Sequence, residues 1–202
     1  MGTSVGIRSG RLLYSSDFRQ TAEPLRRTVT LMSSTSLTRF TTVASPIGDL
    51  LLTADDRGLT GLFMTPHPTG SPDDGHRRDD DDVVLADVRR QLQQYFAGEH
   101  IEFDVPLALT GTPFQQQVWS GLRDIPYGET ISYGTLAQRI GKPKAQRAVG
   151  LANGRNPVAV IVPCHRVIGA NGSLTGYGGG LDRKQILLAL EQGIAALPLG
   201  PA

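Results

Sequence analysis

The sequence predicts an α+β / α/β chain in two parts: a small N-terminal antiparallel-sheet α/β domain over 37–111 and a mainly helical domain over 112–202 built on a helix-turn-helix. Three observations predict it. Residues 37–64 read as short strands separated by turn residues. Residues 112–192 instead carry helix starts, 3.6-residue periodicity and Gly stops. The charge also changes at the join: 37–111 holds six Arg against thirteen acids, and 112–202 holds nine Lys/Arg against four acids. The whole 202-residue chain nets only +1, which taken alone argues against a nucleic-acid partner. That total hides a run of 52 residues, 130–181, with no acid. Such asymmetry fits a polyanion partner, or simply a solvated basic face.

Residues 1–36 are rich in Ser, Thr and Arg, with five Arg against two acids. They are expected to be a disordered extension; a transit peptide or an over-long start, with Met32 as the alternative, has the same composition. No apolar run approaches the ~18–20 residues of a membrane span, and no secretory core is present, so a cytoplasmic chain is expected. Residues 37–44, 48–54 and 59–64 read as an antiparallel meander joined by Ser45-Pro46-Ile47 and Asp55-Asp56-Arg57-Gly58. Residues 66–82 read as a solvated loop with Asp79–Asp82 as its acidic tip. Val84, Leu85, Val88, Leu92, Tyr95 and Phe96 mark a helix stopped at Gly98, and Ile101, Phe103, Val105 and Leu107 alternate like a strand.

In the second half Thr112-Pro113-Phe114-Gln115 has the pattern of a capping box with Pro at the first helical position. Phe114, Val118 and Leu122 then share a face, and Ile125-Pro126-Tyr127-Gly128 ends the helix. Ser132 caps a short helix to Ile140, and Lys142-Pro143 starts a third that ends at Asn153-Gly154. In this third helix Ala145, Ala148, Val149 and Ala152 form the expected buried stripe. Arg147 points the other way, between Gly150 and Gly154. Gly costs about 1 kcal/mol in a helix, so an exposed face of one cation among glycines suits the close approach of another surface. A nucleic-acid groove and a tightly packed protein partner both fit.

Asn156-Pro157 follows, then residues 158–162 as a buried strand, then Pro163-Cys164-His165-Arg166-Val167. Cys164 is the one cysteine, which excludes an internal disulfide, a Cys-rich zinc site and a CxxC pair. It is either a small buried hydrophobe or a nucleophile. A neighbouring His165 and Arg166 favour a thiolate and hence the nucleophile. On an extended chain adjacent side chains diverge, so for His165 to act on the sulfur either a bridging water or a bend in the chain is needed. Asp182 is expected to cap a last helix with Ile186, Leu187 and Leu190 on its apolar face and Glu191 beside it. His67, His76 and His100 lack ligand spacing, so no metal is expected, and no cofactor. The glycines at 176–180 lack the Lys-Ser/Thr of a phosphate loop.

Pro163-Cys164-His165-Arg166-Val167 resembles the active-site motif of the O6-alkylguanine-DNA alkyltransferases. So do Arg147-Ala148-Val149-Gly150, Asn156-Pro157 and Thr175-Gly176-Tyr177-Gly178-Gly179-Gly180, in that order and at similar spacing. The resemblance covers 112–192 specifically and 38–107 loosely. It implies a winged-helix-like DNA-binding domain and a single, irreversible transfer of an alkyl group from guanine O6 in duplex DNA. Cys164 would be nucleophile and permanent acceptor, His165 its base through a water, and Glu191 the carboxylate that orients His165. Tyr133 would donate to the guanine ring N3, and Asn156 would brace the recognition helix. Tyr177, Gly178 and Val167 would form the base pocket. Reaching the target atom requires flipping the nucleotide out. Arg147 would fill the vacated stack, Gly150 would allow minor-groove approach, and Lys142, Lys144 and Arg155 would meet phosphates. A monomer is expected; activity on O4-alkylthymine and the size of alkyl group accepted stay open. Relatives that bind alkylated DNA without repairing it carry Trp in place of the motif Cys. A cysteine hydrolase would turn over, and a fused transcriptional regulator would need a Cys-rich metal domain.

Overall fold

The computed structural model describes residues 37–65, 75–99 and 102–194. The expected N-terminal extension with Met32, and His67, His100 and Ile101, lie outside the described residues. Strands β1 (Arg39–Val43), β2 (Leu50–Asp55) and β3 (Gly58–Met64) form the antiparallel meander. β2 is central and every residue in it is buried. Helix α1 (Val83–Phe96) lays Leu85, Val88, Leu92 and Tyr95 on the sheet.

Two expectations for this half are corrected. Asp79–Asp82 is an anchor, not a free acidic tip. Asp82 accepts from Leu85 N at 3.0 Å as the N-cap of α1, and from Arg39 Nε at 2.6 Å. Asp80 accepts from Thr41 Oγ1 at 2.6 Å, and Asp79 pairs with Arg77. These bonds draw β4 (Arg77–Arg78) alongside β1 as a parallel edge strand. The second correction is that 102–107 is not a strand. Pro106 has no N–H to give a ladder. The backbone of Asp104 is taken by the Gln91 side chain, which bonds its N–H and its C=O at 2.8 and 2.9 Å. Only Leu107 bridges to β3, through Leu59.

Helix α2 (Pro113–Arg123) starts with the reciprocal capping box of Thr112 and Gln115 and buries Val118, Trp119 and Leu122. Ser132 caps α3 (Tyr133–Arg139). Lys142-Pro143-Lys144 makes a turn closed by Ala145 N to Lys142 O at 2.8 Å, so α4 (Gln146–Gly154) starts later than expected. Its buried side is Val149, Ala152 and Asn153, and Ala148 is exposed rather than part of that stripe. α2 and α3 both pack on α4, and the Trp119 indole donates to Ala152 O at 2.9 Å. β5 (Ile131–Ser132) pairs in parallel with β6 (Val167–Ile168), a sheet of two residues a side, too short to leave a sequence signal.

Residues 158–162 are buried as expected, apart from the half-buried Ala159, but form a turn, not a strand. Val158 alone bridges to Leu62 of β3; Val162 N then bonds back to Val158 O at 3.0 Å, and Val160 has φ +69°. Flanking Pro157 and Pro163 supply no donors, and the Asn156 side chain closes the turn. It donates to Val162 O at 2.7 Å and accepts from Val158 N at 3.1 Å. Helix α5 (Leu181–Glu191) begins after Gly180, whose φ is +92°. Asp182 sits in its first turn without capping it. The halves share one core: Leu52, Leu62, Leu92 and Tyr95 belong to the same buried cluster as Trp119, Val149, Val162 and Leu187.

Candidate active site

Cys164 opens a turn of 3-10 helix, Cys164–Arg166, set directly after the turn that Asn156 braces. The chain is therefore coiled here, not extended. Cys164 is 5% exposed and lines a cavity of about 410 Å³ with Asn156, Ala159, Tyr177, Gly178 and Arg183. Burial pushes the thiol above its ordinary range; the Asn156 hydrogen bond and the Lys184 cation pull the other way without winning. The sulfur therefore stays protonated at neutral pH and needs a base. The expected help from Arg166 is absent, because that guanidinium turns away to Glu191 and the cation near the sulfur is Lys184.

Behind the turn, Glu191 gathers a fully buried network. Its Oε1 accepts from Tyr95 Oη at 2.7 Å, His165 Nε2 at 2.8 Å and Arg166 Nη2 at 2.9 Å. Its Oε2 accepts from Arg166 Nε at 2.8 Å and Gly128 N at 3.2 Å. Gly128 has φ +77°, and a side chain there would run into the Glu191 backbone. Arg166 also donates to Ile125 O at 2.6 Å. Burial alone would raise the Glu191 carboxyl, but the bonds from His165 and Arg166 outweigh it and hold the group at about 2. Burial holds His165 below its usual range even though Glu191 favours its proton. The ion pair at neutral pH is thus Glu191 with Arg166, beside a neutral His165. A carboxylate only accepts, so Nε2 carries the imidazole hydrogen and Nδ1 is left as a bare acceptor. Nδ1 is buried and has no hydrogen-bond partner.

The loop before α5 closes over the cavity. Lys184, fully buried, donates from Nζ to Val167 O at 2.6 Å and Thr175 O at 2.9 Å. Arg183 donates to Gly179 O at 3.1 Å, and also to Ile47 O at 2.7 Å and Thr65 O at 2.8 Å, tying the loop to the first sheet. Tyr177 Oη is buried without a partner. Tyr133 stands at the rim, not among the cavity-lining residues, and its hydroxyl donates to Thr175 O at 3.2 Å. Val167, expected in the pocket, has its side chain in the core. Neither Lys184 nor Arg183 was expected at the site. Lys184 had a readable signal: with Leu187, Leu188 and Glu191 it falls at i, i+3, i+4 and i+7, a lysine on the buried stripe of a helix.

Lys142, Lys144, Arg147 and Arg155 are exposed, and among the described residues their side chains make no hydrogen bond or ion pair. Arg155 stands at the cavity with Gly154. A Cβ on Gly154 would meet nothing, and one on Gly150 only the Tyr133 ring at 3.8 Å. Internal packing therefore does not require either glycine.

Residues 38–109 match the ribonuclease-like domain of 6-O-methylguanine DNA methyltransferase, and residues 113–193 match its DNA binding domain. A methylated-DNA–protein-cysteine methyltransferase of Mycolicibacterium paratuberculosis is 55% identical over 76% of this chain and 92% of its own length. One of Methanosarcina acetivorans is 55% identical over 73% of this chain and 94% of its own length. The crystal structure of Mycobacterium tuberculosis OGT in complex with DNA superposes with a TM-score of 0.72 at 52% identity, covering 80% of this chain and 96% of that one. With both domains matched in order around a buried cysteine, this chain belongs to the 6-O-methylguanine DNA methyltransferase family.

Proposed function

We propose that this protein repairs O6-methylguanine in duplex DNA by moving the alkyl group onto Cys164, once per molecule. The observation that carries this reading is the pairing of a protonated, cavity-lining thiol with a neutral imidazole in the same turn, whose one free acceptor, Nδ1, is buried. His165 takes the thiol proton through a water as the sulfur attacks the alkyl carbon. The C–O6 bond breaks, its electron pair stays on the guanine, and a proton then restores the neutral base. A thioether replaces the thiol. A thioether carbon–sulfur bond is inert toward water, so the protein is consumed. Tyr133, freed from Thr175, donates to the departing ring, where a positioned proton donor is worth about 10²–10⁴-fold.

Arg147 enters the minor groove and fills the space of the flipped nucleotide. Gly150 and Gly154 let the groove come close, and Lys142, Lys144 and Arg155 meet phosphates. Tyr177 and Gly178 wall the pocket that receives the base. We assign DNA binding and transfer to 112–202, with 37–111 as the supporting domain and a cytoplasmic, DNA-associated location. Among the described residues no helix is long and apolar enough to cross a membrane. The test is stoichiometry with a duplex carrying O6-methylguanine. Repair should stop at one methyl per protein; continued turnover would show a hydrolase, and tight binding without loss of the methyl a non-repairing binder.

A further inference from the structure

We infer that Tyr95, on α1 of the first half, is a positioning residue for alkyl transfer that sets the basicity of His165 through Glu191. The inference rests on the reading of His165 as base. Tyr95 is 96 positions from Glu191 in sequence, yet its hydroxyl donates to Oε1 at 2.7 Å, the same oxygen that His165 Nε2 uses at 2.8 Å. The ring is fully buried. It is held by Phe96, Phe103 and Tyr127 at centroid distances of 5.2, 5.3 and 6.1 Å. Phenylalanine would therefore keep the packing and lose only the hydroxyl. Burial and the adjacent Glu191 hold the phenol well above its ordinary range, so it remains a donor at every working pH.

The groups facing this network are few. Glu191 and Lys184 come from α5, Arg166 from the Cys164 turn, Tyr127 from the loop after α2, Tyr177 from the loop before α5 and Tyr95 from α1. The Arg166 guanidinium lies 5.7 Å from the Tyr127 ring centre. Arginine stays charged throughout, so of the two other donors on Oε1 only His165 can change its proton count. A third donor on that oxygen spreads its negative charge. Removing it strengthens what remains for His165, and an imidazolium gains more from a carboxylate than a neutral imidazole does. Tyr95 thus keeps His165 from holding a proton too firmly, which leaves the neutral form available to accept one from Cys164.

Tyr95→Phe tests this in two readouts. The four histidines are followed by NMR against pH, with His165 assigned by its loss in His165→Gln. Alkyl transfer is measured over the same pH range. The His165 midpoint is expected to rise by about half a pH unit or more, the scale of a lost hydrogen bond to a charged group shared among three donors. The acid limb of the transfer rate should rise with it. Phe96→Leu, which loosens the same packing without touching Glu191, should lose stability and leave both midpoints in place. Unchanged midpoints in a folded Tyr95→Phe would overturn the inference. A shifted NMR midpoint with an unmoved transfer profile would support Tyr95 acting on His165 and remove His165 as the base.

Discussion

The two functional regions are built on opposite terms. Around Glu191 nearly every polar atom is committed: both oxygens are saturated and Arg166 is bonded on three nitrogens. Among the described residues, His165 Nδ1 is left open in this network, and Tyr177 Oη and Asn153 Oδ1 in the adjoining cavity lining. On and beside α4 the terms reverse, and Lys142, Lys144, Arg147 and Arg155 bond nothing among the described residues. A buried network fixes one geometry because leaving a charge unpaired there is costly. An exposed set of cations keeps its bonds for a partner. The first region should therefore respond to mutation in stability and pH, and the second in duplex affinity and salt.

The sharpest break of that comparison is Cys164→Ser. Transfer should vanish while duplex affinity stays as in the parent, measured by methyl release and by fluorescence anisotropy. Next is Glu191→Gln, which strands Arg166. Removing one partner of a buried pair costs about 3–5 kcal/mol, or roughly 10 °C in melting temperature for a protein of this size. Calorimetry reads it, and a loss below about 1 kcal/mol would mean that the network is not the anchor described. Acid sharpens the same point. Glu191 sits at about 2 against 4.5 unfolded, so its contribution is full above 4.5 and is lost as pH falls toward 2. His165, held below 6.5, adds a loss that begins as pH falls through 6.5. Denaturant titrations from pH 7 to 3 should show both steps, with the lower one reduced in Glu191→Gln to what other lowered carboxylates such as Asp55 contribute.

The exposed region gives smaller effects of another kind. Arg147→Ala should slow repair of duplex by roughly ten- to a hundredfold, since flipping costs a few kcal/mol, and leave reaction with the free base O6-methylguanine unchanged. Equal losses on both substrates would remove its flipping role. Lys142→Ala, Lys144→Ala and Arg155→Ala should each lower the slope of log affinity against log salt by about one, with little effect on stability.

What could be read in advance follows from how local each signal is. The capping box at Thr112, the Ser132 cap and the meander depend on neighbours a few residues apart, and all three form. The run 158–162 looked like a strand because β-branched residues suit one. Its outcome was decided by Asn156, whose side chain closes it as a turn. The acids at 79–82 looked solvated because their partners, Arg39 and Thr41, lie some forty residues back. At the site, Cys164 and Arg147 stood out from local features. Glu191 was identified through the resemblance, and Tyr95 showed no sign because its partner is 96 residues away.

The central claim is that Cys164 is the permanent acceptor. Incubation with one equivalent of a duplex carrying O6-methylguanine, followed by intact mass and peptide mapping, tests it most directly. One methyl group should appear on the protein, on the peptide containing Cys164, as the lesion disappears. Loss of the lesion with the protein mass unchanged, or a methyl group on any other residue, would contradict the account.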